Sequence, residues 1–200
     1  MNTEENHTYL PETRLTYVPG KPPKAGLTGS LFEYLEIFVY SAIVVVLLFT
    51  FCTRLTNVVG PSMEDTLFEG EKLLVSNLFY EPAVGDIIVF HELGYYNEPI
   101  VKRVIATAGQ VVDIDFNTWT LSVDGKVVEE DYRKLSGSYT LTSDLTYPLT
   151  VPENCLFVMG DNRNHSSDSR SSSIGFVDVR KVLGHVICRL TPLSRFGAVN

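Results

Sequence analysis

Cysteine, histidine and basic residues are scarce in this sequence. Among 200 residues there are three cysteines and four histidines, and they lack the close, paired spacing of zinc sites and disulfide scaffolds. Lysine and arginine number 16 against 24 acidic residues, which gives a net charge of -8. Because a phosphate backbone is bound through clustered basic side chains, this balance disfavours nucleic acid as a partner. We expect no metal ion, no cofactor and no nucleic-acid partner.

The cysteines are also far apart along the chain. Cys52 lies inside an apolar run, so a bridge between Cys155 and Cys188 is the one pairing open outside that run. A free buried thiol is the commoner state of such isolated cysteines. Whether Cys155 and Cys188 pair stays open at the level of the sequence.

Long apolar runs are absent except for one. Residues 37–53 read IFVYSAIVVVLLFTFCT without a charge, and apolar side chains extend the run back to Leu31. About 20 apolar residues cross a bilayer as a helix, so we predict a transmembrane helix at 31–53. A buried core helix and a cleaved signal sequence are the alternatives. A run that is apolar on all faces favours the membrane, and no small-x-small cleavage site follows it.

The segment before this run, residues 1–30, contains a cluster of prolines and glycines and no apolar period. Such a composition predicts a flexible tail. Charge specifies the orientation of the helix only weakly, because Lys21 and Lys24 precede it while Arg54 follows it closely.

Beyond Arg54 the pattern changes to short apolar runs separated by turn residues, which predicts a mainly antiparallel β domain. The Asp124-Gly125 pair between two short runs is typical of a tight hairpin. Residues 113–152 are more polar than their surroundings, and we interpret them as an inserted β subdomain. The predicted β core is therefore divided into two parts, 54–112 and 153–200.

One turn in this domain presents a serine. Gly60 and Pro61 stand directly before Ser62, between an apolar run and a polar turn. A Gly-Pro pair favours a sharp exit from a strand, which leaves the following hydroxyl pointing outward. Taken alone, such a serine is an ordinary turn residue.

Lys102 is the second residue of interest. In a strand, side chains alternate between faces, so Lys102 shares one face with Ile100 and Val104. Apolar neighbours desolvate an ammonium group and lower its pKa from the usual value of about 10.4, as a lysine that acts as a general base requires. The alternative is a lysine on an edge strand that extends its ammonium group into water.

The opposite face of this strand carries Arg103, which needs a carboxylate partner if it is buried. Asp161 and Asp168 are the candidates. Both belong to the polar stretch GDNRNHSSDSR at 160–170, which fits either an ordinary loop or a hydrogen-bonded support beneath an active site.

Two histidines raise the question of a Ser-His triad. Neither His91 nor His165 stands in a nucleophile-elbow arrangement or another local signature that would support one. The serine and the lysine are the better candidates.

Taken together and in order, these stretches resemble one family. They are GPSM at 60–63, GDIIVF at 85–90, KRVIATAG at 102–109, GDNRNHSSDSR at 160–170 and GFV at 175–177, after one apolar span. The set is similar to bacterial type I signal peptidase, a Ser-Lys serine protease that removes signal peptides from exported preproteins. The resemblance implies a single transmembrane helix followed by a β-rich catalytic core with a smaller inserted β subdomain.

By motif, the resemblance implies that Ser62 is the nucleophile, Lys102 its general base and the Ser62 backbone N–H the oxyanion donor. Ser166 would hydrogen-bond to the lysine and orient it. Four charged residues would support the site through ion pairs, and these are Arg103, Asp161, Asp168 and Arg170. Arg103 would pair with Asp161. The substrate would lie as an extended strand against two segments whose residues are Val58, Val59, Gly60, Pro61, Pro99, Ile100 and Val101.

The same resemblance implies the setting of the enzyme. We expect a single-pass protein of the bacterial cell membrane with a cytoplasmic amino terminus and an extracytoplasmic catalytic domain. Its partners would be the lipid bilayer and preprotein signal peptides, cleaved after a small-x-small motif, and we expect a monomer in the membrane.

Three positions depart from the family pattern. Asp65 stands where a proline is usual, so the turn after the serine is less rigid. Gly60 stands where some members supply a second oxyanion donor from a serine, and Val84 replaces a common arginine. Two other hypotheses remain: a self-cleaving Ser-Lys protein such as a repressor-type autoprotease, and a catalytically inactive membrane-tethered binding domain.

Overall fold

The computed structural model describes residues 27–92, 98–135 and 143–199. The chain divides after Ile43 into two units, which are described separately. Most of the predicted tail, residues 1–26, lies outside the described residues.

The first element is the helix α1, Leu27–Cys52, with 26 residues. At about 1.5 Å per residue it is roughly 39 Å long, which exceeds the hydrocarbon thickness of a bilayer. Its window Ser30–Leu47 has a mean hydropathy of 1.9, and none of that window is buried. By length and composition this helix can cross a membrane.

The bounds of α1 differ slightly from the predicted 31–53. Residues 27–30 belong to the helix rather than to the tail, and no proline lies between Pro23 and the predicted start at Leu31 to prevent this earlier start. Thr53 already begins the first strand. The domain limits along the rest of the chain stay predictions, since strand bounds alone do not define a domain boundary.

Eleven strands lie within the described ranges, and they form two antiparallel sheets. The strands are β1 Thr53–Asn57, β2 Lys72–Ser76, β3 Ile87–Phe90, β4 Ile100–Thr107, β5 Val111–Asp115, β6 Thr120–Val123, β7 Lys126–Val127, β8 Leu149–Thr150, β9 Cys155–Met159, β10 Val177–Asp178 and β11 Val182–Thr191. Short 3-10 helices cover Arg163–His165, Val179–Lys181 and Leu193–Arg195. The predicted mainly β fold is confirmed.

The larger sheet has seven strands in the order β1-β2-β11-β3-β4-β9-β10. The strand that carries Lys102, β4, pairs with β3 on one side and β9 on the other, with Lys102 opposite Ile88 and Arg103 opposite Met159. Every residue of β4 except the last is buried. Two charged side chains inside a buried strand need partners.

The smaller sheet has four strands in the order β7-β6-β5-β8 and uses residues between 111 and 150. Its hairpin between β6 and β7 turns at Asp124 and Gly125, which have φ values of 52° and 74°. These positive φ angles suit the tight turn that the Asp-Gly pair predicts. Asp124 also accepts a hydrogen bond of 2.8 Å from Val111 N, which fixes the hairpin to β5.

Buried apolar side chains form three clusters, of which the first supports the candidate site. Val58, Met63 and Leu67 pack there with side chains from β2, β3 and β4. Cys155 and Cys188, in β9 and β11, are both free thiols. Their pairing, open at the level of the sequence, is therefore absent from the structure.

Candidate active site

The turn that follows β1 places Ser62 above the first core cluster. Gly60 has a φ of +75°, which a residue with a Cβ adopts only with strain. The buried side chains of Met63 and Leu67 anchor the turn from below. Ser62 itself is partly exposed, so its hydroxyl is accessible from the surface.

Lys102 meets this serine. Its Nζ lies 2.7 Å from Ser62 Oγ and donates to the Val101 carbonyl oxygen at 2.9 Å. The lysine is 3% exposed and lies in a central strand. The alternative of a solvated lysine on an edge strand is therefore wrong.

Burial lowers the pKa of Lys102 from 10.5 to about 8. Asp168 and Asp161 favour the charged form and raise this pKa, while Arg170 lowers it. Burial outweighs the two carboxylates, because they already have cationic partners of their own. With such a pKa about a tenth of the lysine is neutral at pH 7, which is the form a general base requires.

The loop after β9 is braced against the serine turn. Asn162 donates from its backbone N to the Ser62 carbonyl oxygen and from Nδ2 to the Pro61 carbonyl oxygen, both at 3.0 Å. A Cβ at Gly160 would overlap the Ser62 carbonyl oxygen and the side chain of Ser166. Only glycine permits this close approach of the two segments.

Arg103 and Asp161 form the ion pair that the resemblance implies. Nε lies 2.9 Å from Oδ1 and Nη2 lies 2.8 Å from Oδ2, so both carboxylate oxygens are held. Both side chains are buried. Thr66 Oγ1 donates to the same carboxylate at 2.5 Å, which ties the serine turn to the pair.

Asp168 is the second buried carboxylate of the site. It accepts from Gly160 N at 2.9 Å, from Ser166 Oγ at 2.6 Å and from Arg170 Nε at 2.7 Å. Burial by itself would raise the pKa of Asp168, but the Arg170 guanidinium and these hydrogen bonds outweigh burial and lower it. The carboxylate stays ionised, and its hydrogen bonds to Gly160, Ser166 and Arg170 hold the loop in place.

Ser166 does not make the contact that the resemblance implied. Its hydroxyl donates to Asp168 Oδ2, whereas the described hydrogen bonds of Lys102 go to Ser62 and Val101. An ionised acceptor makes a stronger hydrogen bond than a neutral one, and the Ser166 hydroxyl therefore donates its hydrogen bond to Asp168. Ser166 nevertheless lines the same cleft as the lysine.

A cleft of about 410 Å³ opens beside the serine and the lysine. Six of the seven residues predicted to contact a substrate line it, and these are Val59, Gly60, Pro61, Pro99, Ile100 and Val101. Val58 does not line the cleft. Its buried side chain packs in the first core cluster, and its backbone N and O pair with the 70–71 turn. The structure therefore corrects the placement of Val58, because alternation along the chain turns its side chain inward.

The Ser62 backbone N–H has no acceptor among the residues that the structure describes. An unpaired donor beside a nucleophile can receive a substrate carbonyl oxygen as negative charge develops on it. In the described part of the chain, no group of three or more His, Cys, Asp or Glu side chains is arranged to hold a metal ion.

Several residues of the site escaped the sequence analysis. Glu130 pairs with Arg163, and both side chains are buried. The ring of Tyr132 covers Arg103, with 4.0 Å between Cζ and the ring centroid. Glu130 and Tyr132 come from the polar insertion, where no periodicity marks them. Gly160 belongs to the motif at 160–170, but the sequence does not show that it packs against the Ser62 carbonyl oxygen.

Comparison with known proteins identifies the family. A model described as signal peptidase, peptidase S26, matches residues 31–191. The probable signal peptidase I-1 of Synechocystis is 35% identical over 178 residues, covering 84% of this chain and 86% of that protein. Signal peptidase I of Bacillus caldolyticus is 38% identical over 152 residues, covering 68% of this chain and 79% of that protein.

A crystal structure of a signal peptidase I from Enterococcus faecalis is also similar, with 34% identity and a TM-score of 0.44 over 53% of this chain and 97% of that one. The assignment rests on the sequence matches. Because the family model spans most of the sequence and the two relatives are 35% and 38% identical to it, this chain is a peptidase of the signal peptidase family, peptidase S26.

Proposed function

We propose that this chain is a membrane-anchored serine endopeptidase that removes amino-terminal signal peptides from exported preproteins. Ser62 is the nucleophile and Lys102 is its general base. The observation that carries the proposal is the 2.7 Å contact between Lys102 Nζ and Ser62 Oγ, with a lysine buried enough to have a pKa of about 8. The relatives named signal peptidase I supply the substrate class.

In the acylation step, neutral Lys102 takes the proton of the Ser62 hydroxyl as Oγ bonds to the scissile carbonyl carbon. The carbonyl oxygen becomes an oxyanion and accepts a hydrogen bond from the Ser62 N–H. The Lys102 ammonium then gives its proton to the leaving amine, and the carbon–nitrogen bond breaks. The mature protein is released, and the signal peptide remains as an ester on Ser62.

Deacylation uses the same groups. Neutral Lys102 takes a proton from water as the water oxygen attacks the ester carbon, and the ammonium returns the proton to Ser62 Oγ as the ester bond breaks. The signal peptide leaves with a new carboxylate. Ser166 orients the lysine indirectly, since Asp168 holds this serine against the wall of the cleft.

The substrate lies as an extended strand between residues 59–61 and 99–101, which both line the cleft. Backbone hydrogen bonds hold it in register, and the apolar lining that Val59 and Pro61 contribute to the cleft favours small apolar residues. This arrangement supports cleavage after a small-x-small motif.

The anchor is α1, whose apolar window spans Ser30–Leu47. We place the amino terminus in the cytoplasm and the catalytic domain on the outer side of the bacterial membrane, where exported preproteins emerge. One chain supplies both Ser62 and Lys102, so a single chain can form the site. The enzyme that we propose is a monomer whose partners are the bilayer and the preprotein.

The test uses the full chain in detergent and a peptide with a small-x-small site. Wild type cleaves after the second small residue, while Ser62→Ala and Lys102→Ala lose at least about a thousandfold in kcat. Ser122→Ala and Lys126→Ala, on the smaller sheet, are matched controls that keep wild-type rates. An inactive but folded wild type, or full activity of Lys102→Ala, would refute the dyad and favour a tethered binding domain.

Mass spectrometry of the incubated protein distinguishes a signal peptidase from a self-cleaving Ser-Lys protein. A signal peptidase leaves its own chain intact while the peptide disappears. A chain that cuts itself and spares the peptide is an autoprotease.

A further inference from the structure

One segment that follows the smaller sheet's strand β7 contacts the active site. Residues 130–134, which we term the strap, follow β7 and the hydrogen bond from Val128 N to the Leu121 carbonyl oxygen of β6. Arg133 Nη1 donates to the Trp119 carbonyl oxygen at 2.7 Å, which fixes the strap to the sheet it comes from. Other groups of the strap contact the loop after β9, which we term the catalytic loop, residues 160–170.

The backbone of the strap pairs with that loop. Lys134 N donates to the Asp161 carbonyl oxygen at 2.9 Å, and Arg163 N donates to the Lys134 carbonyl oxygen at 3.0 Å. Asn162, between these two contacts, holds the Ser62 carbonyl oxygen. Asn162 therefore links the loop segment that pairs with the strap to the nucleophile.

A buried ion pair strengthens this contact. Arg163 Nη1 lies 2.9 Å from Glu130 Oε2, and a second, shorter contact joins Nη2 to Oε1. Arg163 also donates from Nε to the Gly160 carbonyl oxygen at 3.1 Å. A buried guanidinium without its carboxylate is strongly unfavourable, so the loop keeps this arrangement only while the strap is in place.

The strap also covers the ion pair beside the general base. The ring of Tyr132 lies over the Arg103 guanidinium, which holds both oxygens of Asp161. Burial raises the pKa of Tyr132 to about 12, so the ring stays neutral. A neutral ring over the guanidinium excludes water from the pair and keeps the charge of Asp161 directed at Arg103 rather than at Lys102.

The charged groups that act on Lys102 are Asp168, Arg170 and Asp161, and the two carboxylates favour its ammonium form. Asp168 is held by Arg170 within the catalytic loop. Asp161 is held by Arg103, whose open face the strap covers. Loosening the strap would therefore free Asp161 to stabilise the protonated lysine, which is the inactive form of the base.

The last contact reaches the serine turn itself. Lys134 Nζ lies 2.9 Å from Asp65 Oδ1 and 3.4 Å from Glu64 Oε2. Asp65 is the residue that replaces the usual proline, and the ion pair restrains the turn from outside. Since Asp65 is 69% exposed, this contact is weaker than the buried ones.

From these contacts we propose that the strap is a positioning element for the peptidase reaction. Glu130 and Tyr132 hold the catalytic loop and the Arg103–Asp161 pair so that Ser62 stays in contact with a desolvated Lys102. Neither strap residue touches the reacting atoms. The inference rests on the proposed function, because it explains how the smaller sheet serves that dyad.

The experiment compares Tyr132→Leu and Tyr132→Phe in the full chain with the Lys126→Ala control. Tyr132→Leu removes the ring, and we expect kcat to fall between about ten- and a hundredfold with little change in KM. The ascending limb of its pH profile moves upward by about one pH unit, because hydration of Arg103 lets Asp161 favour the lysine ammonium. Tyr132→Phe keeps the ring and the wild-type profile.

Glu130→Gln is the second variant, in which the side chain at position 130 keeps its size but loses the negative charge that pairs with Arg163. We expect a lower kcat and an unchanged KM. If Tyr132→Leu and Glu130→Gln melt at lower temperature but, per folded molecule, keep the kcat and pH midpoint of wild type, the strap is only structural and the proposal is overturned.

Amide hydrogen exchange tests the positioning role of the strap independently of the proposed peptidase function. Should wild type be inactive, the strap still predicts faster exchange of the Asn162 and Arg163 amides in Tyr132→Leu, with β11 unchanged. Unchanged exchange at these two amides overturns the positioning role, whatever the peptidase assay gives.

Discussion

Two groups of ion pairs in this protein have the same chemistry and opposite surroundings. In the pairs behind the cleft every side chain is at most 6% exposed, and these are Arg103–Asp161, Arg163–Glu130 and Arg170–Asp168. In the pairs beside the short helix before β11 the basic side chains are 85% and 42% exposed, and these are Arg180–Asp178 and Lys181–Glu92.

The burial of the first group of ion pairs indicates their role. An ion pair in the interior is seldom more stable than well-packed apolar residues, because desolvation of both charges opposes their attraction. Three such pairs around one loop are therefore a poor way to gain stability. These pairs contribute orientation rather than stability. A guanidinium and a carboxylate meet in a preferred geometry, and this geometry orients the loop beside Ser62.

Breaking a buried ion pair should destabilise the protein more than any other change considered below. Asp161→Ala leaves Arg103 charged and without its carboxylate in β4, and we expect a loss of about 3–5 kcal/mol in the free energy of unfolding together with loss of activity. Thermal unfolding in detergent, followed by circular dichroism, measures the change. A variant as stable as wild type would show that Arg103 is not buried in solution.

Gly160→Ala tests the close approach of the loop to the serine turn. The added methyl group overlaps the Ser62 carbonyl oxygen and the side chain of Ser166, so the two segments must separate. We expect kcat to fall by about a hundredfold, because a displacement of about 1 Å is enough to misalign the dyad. Gly125→Asn, in the exposed hairpin, is the control, and equal rates for the two variants would contradict the packing.

Thr66→Val removes one hydrogen bond to the buried carboxylate of Asp161. We expect a loss of about 1–3 kcal/mol in the free energy of unfolding, because water cannot replace the lost donor at a desolvated carboxylate. Thr118→Val removes the matching bond to exposed Asp115, where water replaces the hydroxyl. Unfolding curves of the two variants should differ clearly, and coincident curves would show that burial does not set the effect.

Arg180→Ala should leave both stability and activity almost unchanged. The arginine is mostly exposed, and water takes its place beside Asp178. Melting temperature and cleavage rate should both match wild type within error. A measurable loss would remove the contrast between the exposed and the buried pairs.

The sequence predicted the parts of this site that depend on local order. Alternation along β4 identified Lys102 and Arg103 on opposite faces, and the motif after β9 supplied Asp161 and Asp168. The mainly β fold and the apolar helix followed from the spacing of apolar residues. These features are local because periodicity and turn chemistry act over a few residues.

What the sequence could not predict depends on contacts between distant segments. The resemblance places Val58 against the substrate, but its side chain packs in the core. It also predicts a hydrogen bond between Ser166 and the lysine, but the Ser166 hydroxyl donates to Asp168. Glu130 and Tyr132 come from a segment without periodicity. Their contacts with Arg163 and Arg103, which are distant in sequence, become visible only in the structure.

The pH dependence of kcat/KM of the full-length protein tests whether Lys102 is the general base, because it reports the pKa of the free enzyme's essential base. Lys102 has a lowered pKa of about 8, so the rate should rise about tenfold per pH unit below that value and level off above it. Lys102→Ala should abolish this limb, while the Lys126→Ala control retains it. A limb with its midpoint near 10, or one that persists without Lys102, would contradict the assignment of a buried lysine as the general base.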